Sequence, residues 1–299
     1  MVSAGGRNGV IEIASAGLTA QFRPDLGGRM TRLARASGAD IVVPLQEDEF
    51  DPLFWPKAGA YPLVPYHNRI AEGRLAVADG FVALRPHPQA LPHSLHGPAH
   101  RRPWSVRGHS PSSLTLHLAY DPDADWPFAF EASQIFSVRD DTLSIHLAVS
   151  NRDRRPMPAG VGWHPYFRGV STVEHDAAYR WPHRSNFLPE GWRARIGDPP
   201  SGGSVSTVYL QDWRCVRLAI AGTGTITMTA SPELAHLVLH QAGTYTCIEA
   251  VTHVADGFNL AVRGVDGTGT RLLAPGETLA GVISLTVGGT DRQERTSRL

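Results

Sequence analysis

The chain has 299 residues, and its 28 Lys plus Arg balance 28 Asp plus Glu, so the formal net charge is zero with histidine neutral. That balance excludes proteins that grip phosphate backbones or acidic membrane surfaces through excess positive charge, and it predicts neither a nucleic-acid nor a membrane partner. Lys57 is the sole lysine, so a Gly-Lys-Ser/Thr phosphate loop is absent and Schiff-base chemistry would rest on that one residue.

Taken in chain order, Met1 to Val10 holds Gly, Ser and Asn without the apolar centre of a signal peptide. No later apolar run approaches the roughly 18 residues of a membrane helix, so the expected location is the cytoplasm. Thirty glycines and 23 prolines leave few helix-length windows, whereas period-two alternation recurs. Leu114, Leu116 and Leu118 alternate with Thr115 and His117. Leu143, Ile145, Leu147 and Val149 do the same, as do Val216, Leu218 and Ile220, then Ile226 and Met228, then Ile283, Leu285 and Val287. Asp121-Pro122-Asp123, Arg139-Asp140-Asp141 and Gly264-Val265-Asp266-Gly267 are turn clusters between such runs. Many short strands and no interleaved helices predict an all-β chain of antiparallel sheets stacked face to face. Asp198 to Ser206 reads as a long surface loop inside a single domain spanning 1–299, and 289–299 reads as a flexible tail. The two cysteines, Cys215 and Cys247, are too few for a disulfide framework and read as buried thiols.

Four segments carry side chains suited to chemistry. Asn68 and Arg69 end the Pro-rich, aromatic run Tyr61-Pro62-Leu63-Val64-Pro65-Tyr66-His67; an arginine fork there fits sugar hydroxyls or a carboxylate, or equally a surface salt bridge. His96 precedes Gly97-Pro98, which turns the chain just after the ring. His164 sits in Gly162-Trp163-His164-Pro165-Tyr166-Phe167, where Pro165 holds it extended among aromatics. Each histidine is either a hydrogen-bonded core residue or a cleft group. Glu249 interrupts the apolar run Cys247-Ile248-Glu249-Ala250-Val251; it lies on the solvent face of an edge strand, or it is buried and employed. No His-x-His occurs, and neither a metal nor another cofactor is expected.

In this order, Asn68-Arg69-Ile70, Leu95-His96-Gly97, His164-Pro165-Tyr166-Phe167 and Glu249-Ala250-Val251-Thr252-His253 resemble the aldose 1-epimerase (galactose mutarotase) family. Leu26-Gly27-Gly28-Arg29-Met30 and Asp256-Gly257-Phe258-Asn259 are smaller echoes, and the likeness runs from about Ile11 to Val287. The resemblance implies a galactose mutarotase-like β-supersandwich with an open cleft for a small sugar, working as a monomer or weak dimer. It implies Glu249 as the base at the C1 hydroxyl, His164 as the acid at the ring oxygen on the sugar's other side, and His96 as support for developing charge. Arg69 is implied to hold hydroxyls and Asn68 to place it. Trp163, Tyr166 and Phe167 either face the sugar or line the core.

The sequence departs from the family at two points. Ala250 replaces the usual proline after the glutamate. Near Ser206 to Trp213, Ser or Thr stands where the family usually places a sugar-binding Asp, and only a shifted alignment brings in Asp212. The expected activity is therefore interconversion of α and β anomers of a free aldose, with the sugar unspecified. The alternatives are a hexose-6-phosphate 1-epimerase and a non-catalytic sugar-binding protein on the same fold.

Overall fold

The computed structural model describes residues 9–46, 50–77, 80–197 and 206–288. The expected tail at 289–299 and all but Ser206 of the expected loop lie outside these residues. The alternating runs become strands: Ser113–Tyr120, Thr142–Asn151, Cys215–Ile220, Gly224–Ala230 and Thr278–Val287. In Thr142–Asn151 the apolar residues Leu143, Ile145, Leu147 and Val149 are fully buried, because successive side chains leave a strand on opposite faces.

Two large antiparallel sheets result. The eight-stranded sheet runs Val170–His175, Cys215–Ile220, Gly224–Ala230, Thr278–Val287, Thr142–Asn151, Phe130–Arg139, Ser113–Tyr120, Ser105–Ser110. The ten-stranded sheet runs Ile11–Ala14, Leu18–Arg23, Arg29–Arg35, Ala60–Leu63, Gly162–Arg168, Tyr245–Val251, His236–Ala242, Thr207–Gln211, Tyr179–Trp181, Ala194–Arg195. Their facing sides share one core, in which Phe22 of the larger sheet meets Phe136 of the smaller at 4.6 Å between ring centres. Burying each such side chain contributes about 1.5–3 kcal/mol.

Helix is confined among the described residues to the six-residue Gly257–Val262 and short 3-10 turns. The chain is thus nearly all-β, as expected, and its short helix falls on the Asp256-Gly257-Phe258-Asn259 echo. Asp256 Oδ1 accepts from Ala71 N at 3.0 Å, and Asn259 Oδ1 accepts from Ala76 N at 2.9 Å. The segment thus braces the chain directly behind Asn68-Arg69-Ile70. Both cysteines are free thiols; Cys247 is buried and Cys215 only partly so.

The central strands explain a feature that alternation alone does not cover. In Gly162–Arg168 and Tyr245–Val251 nearly every residue is buried, on both faces. One face of these strands lies on the shared core, and the other lies under loops that wall a cleft.

Candidate active site

Strand register sets the cleft floor. Gly162–Arg168 pairs Trp163 with Ala250 and Tyr166 with Cys247, which sets His164 directly opposite Glu249. On the other side His164 pairs with Tyr61. Glu249 in turn pairs with Val238, and Val238 with Tyr209. A lateral row Tyr61, His164, Glu249, Val238, Tyr209 therefore crosses five neighbouring strands. A second row on the same face holds Tyr166, Cys247, His240 and Thr207. All nine line one cavity of about 210 Å³. Residues of the opposite parity, among them Trp163, Ala250, Leu237 and Leu210, enter the shared core.

Loops complete the cleft from above. Asn68 and His96 both adopt left-handed backbone, at φ 54° and 60°, a conformation that costs a non-glycine residue about 1–2 kcal/mol. Each offsets the cost with bonds to the other. His96 N donates to Asn68 O at 2.9 Å, and Asn68 N donates to His96 Nδ1 at 3.0 Å. Gly97 follows at φ 66°, where a Cβ would lie 2.5 Å from Val64 O, so only glycine closes this turn. Because Nδ1 of His96 accepts, the neutral ring carries its proton on Nε2. Asn68 Nδ2 donates to Tyr209 Oη at 3.1 Å, while its Oδ1 accepts from Arg69 N and from Arg69 Nη1. Asn68 is thus committed to placing Arg69, whose guanidinium lies 4.5 Å over the Phe187 ring. Among the described residues no carboxylate lies within 4.0 Å of Arg69.

His164 Nε2 stands 3.3 Å from Glu249 Oε1, with only 8% and 5% of the two side chains exposed. Burial raises the Glu249 carboxyl to about 8. Burial first, then the Lys57 and Arg29 charges, pushes the His164 imidazole well below its ordinary value. At neutral pH the pair accordingly holds one proton, and the dry surroundings favour it on Glu249. The charged pair, carboxylate plus imidazolium, carries the same number of protons, so a single transfer across the contact interconverts the two forms.

The geometry corrects the sequence expectation in two places. Glu249 and His164 touch on adjacent strands and present themselves from one side, because cross-strand neighbours sit closer than a sugar ring is wide. Asp212 lies past the end of Thr207–Gln211, its side chain 46% exposed and 3.8 Å from Arg193; it does not line the cleft. Thr207 does, with its hydroxyl 2.8 Å from His240 Nδ1. Of the three aromatics weighed for the sugar face, Tyr166 lines the cleft, while Trp163 and Phe167 are core. Asn68, Arg69, His96, His164 and Glu249 come together in it.

Sequence reading alone passes over Trp55, Lys57, Gln89, Phe187, Tyr209 and His240, which also line the cavity. Thr207 and Tyr209 alternate within their strand, yet nothing local says which strand they pair with. Among the described residues no group of three His, Cys, Asp or Glu is placed to hold a metal ion. No helix among them is long and apolar enough to cross a membrane.

The profile of the aldose 1-epimerase family matches residues 9–286. The chain belongs to that family. A similar curated protein is YphB of Escherichia coli K12, uncharacterized, 31% identical over 133 residues; the match spans 44% of this chain and 45% of YphB, so under half of that relative's length. Among solved structures, a presumed aldose 1-epimerase of Escherichia coli K12 superimposes with a TM-score of 0.79 at 23% identity, covering 93% of this chain and 98% of the other. The GalM/aldose epimerase homologue of C. elegans gives 0.77 at 20% identity, covering 95% and 99%. At these identities the structural likeness is one of fold: the aldose 1-epimerase β-sandwich.

Proposed function

We propose that this chain is an aldose 1-epimerase, an isomerase that interconverts the α and β anomers of a free aldose without a cofactor. The observation that carries the reading is the buried His164–Glu249 contact at 3.3 Å on the floor of a cleft with Arg69 on its wall. A hemiacetal bears its hydroxyl and its ring oxygen on the same carbon, so two groups in contact with each other can reach both. Glu249 as carboxylate takes the proton from the C1 hydroxyl. The freed electron pair forms the C1 carbonyl, the bond from C1 to the ring oxygen breaks, and that oxygen takes the proton of the His164 imidazolium. Rotation about C1–C2 and the reverse transfers close the ring on the other face. Ring opening leaves Glu249 protonated and His164 neutral, which is the form that burial favours. The pair thus returns to its resting form as the ring opens, and the cost of making the carboxylate–imidazolium form is recovered in the same step. Nε2–H of His96 donates toward the oxygens at C1, and Arg69 binds hydroxyls through its fork.

Lys57 and Arg69 both line the cleft, and this favours a second reading in which the aldose carries a phosphate. Polarimetry on freshly dissolved α-glucose, α-galactose and a panel of free aldoses, with exchange NMR on glucose 6-phosphate, separates the two. Acceleration with a free sugar, abolished in Glu249→Gln, supports the first reading. Acceleration with the phosphate alone supports the second. Sugar binding with no acceleration of any anomer exchange refutes both.

A further inference from the structure

The Leu26-Gly27-Gly28-Arg29-Met30 segment adds no residue to the cleft wall, yet it places a guanidinium behind it. Arg29 is 0% exposed. Its Nη1 donates to Ala58 O at 3.2 Å, while Nε and Nη2 have no hydrogen-bond partner among the described residues. No carboxylate among them lies within 4.0 Å of it. Burying an unpaired cation is strongly unfavourable, so its retention here calls for a use. Its Cζ lies 4.6 Å from the centre of the Tyr61 ring and 5.0 Å from that of Phe50. Tyr61 stacks in turn on His164, with ring centres 4.6 Å apart and planes at 22°. Arg29 therefore stands no more than about 9 Å from the imidazole, both of them against the Tyr61 ring, inside a medium that screens poorly.

The other groups facing His164 differ in kind. Glu249 is its proton partner across the strand pair. Tyr61 and Tyr166 pack on it as neutral rings, their hydroxyls driven far above ordinary values by burial. His96 stands 5.3 Å away, ring to ring, and burial holds it and His67, His100 and His240 below the ordinary histidine range. Lys57 sits over Trp55 on the cleft wall, exposed to solvent, and its charge also pushes the His164 imidazole down. Of the permanent charges near His164 among the described residues, Arg29 is the fully desolvated one.

We propose that Arg29 is an electrostatic positioning residue: standing against Tyr61, its fixed charge destabilises the His164 imidazolium and so holds the proton of the His164–Glu249 pair on Glu249, setting how readily the pair takes its carboxylate–imidazolium form. The proposal rests on the aldose 1-epimerase reading for its catalytic meaning, but the effect on His164 does not need turnover to be seen. At an effective dielectric constant of about 20, a unit charge at that distance moves a neighbouring pKa by about one unit.

The test uses the full-length protein with Arg29→Met and Arg29→Lys, following the imidazole nitrogens of His164 by NMR between pH 4 and 9, alongside anomer exchange. Arg29→Met relieves a buried charge and is expected to fold; Arg29→Gln is the neutral alternative if it does not. In the neutral variant His164 should titrate about one pH unit higher, and kcat should rise by up to several-fold with KM unchanged, because the carboxylate–imidazolium form is easier to reach. Arg29→Lys should keep the parent titration. A titration of His164 that is the same in neutral and charged variants overturns the proposal, whatever the activity. A one-unit shift in a protein that accelerates no anomer exchange would instead retain the electrostatic coupling and refute the epimerase reading.

Discussion

Replacing Glu249 with Gln separates catalysis from stability, because the carboxyl is useful for the first and costly for the second. The substitution preserves shape and the His164 contact but removes the base, so kcat should drop by about 10² or more. Stability should move the other way. The carboxyl pKa is 4.5 in ordinary surroundings and about 8 in the fold. Between those values the unfolded chain ionises while the folded chain does not, so the folded state binds the extra proton and its stability falls as pH rises. The cost is absent below pH 4.5, grows by about 1.4 kcal/mol per unit, and reaches about 5 kcal/mol by pH 8. The neutral amide of the Glu249→Gln variant carries no such penalty. From pH 5 to pH 8 the melting temperature of the variant should gain on the parent by about 8 °C, taking about 2 °C per kcal/mol for a large domain. Calorimetry across that range, with polarimetry on the same samples, gives both readouts. Parallel melting curves at all pH values would refute the buried-carboxyl argument, and retention of more than half the activity would refute the role of Glu249.

The pH profile of kcat/KM should fall above about pH 8, where the pair loses its shared proton, and on the acid side only well below pH 6.5, where His164 would take a second one; a rate unchanged up to pH 9.5 would contradict this pair as acid and base. Arg69→Met removes charged hydrogen bonds of about 1.5–3 kcal/mol each, so KM should rise at least tenfold with little change in kcat; initial-rate kinetics showing an unaltered KM would remove Arg69 from the binding wall. Asp212→Asn should leave kcat/KM within twofold, since its side chain faces Arg193 outside the cleft; a tenfold loss would show that Asp212 reaches the sugar.

By itself the sequence determines the fold class, because period-two alternation in runs such as Leu143 to Val149 is a direct record of which face each strand buries. It also marks the residues that depart from that rule. Glu249 in an apolar strand and His164 before proline are locally anomalous, and their order along the chain matches a family. Pairing is what the sequence leaves open. That Glu249 lies at the centre of a ten-stranded sheet rather than on an edge, and that His164 stands opposite it, follows from register between segments some 85 residues apart. The same register brings Tyr61, Tyr209 and His240 into one cleft, which their own segments do not specify, and leaves Asp212 outside. Burial then assigns the proton. No local pattern encodes a dry environment on both faces of a strand; it arises when sheets and loops close over it, and it is what moves Glu249 and His164 away from their ordinary titrations. Arg29 shows the same division: one basic residue among 28 in the sequence, and a buried charge behind His164 once the chain has folded.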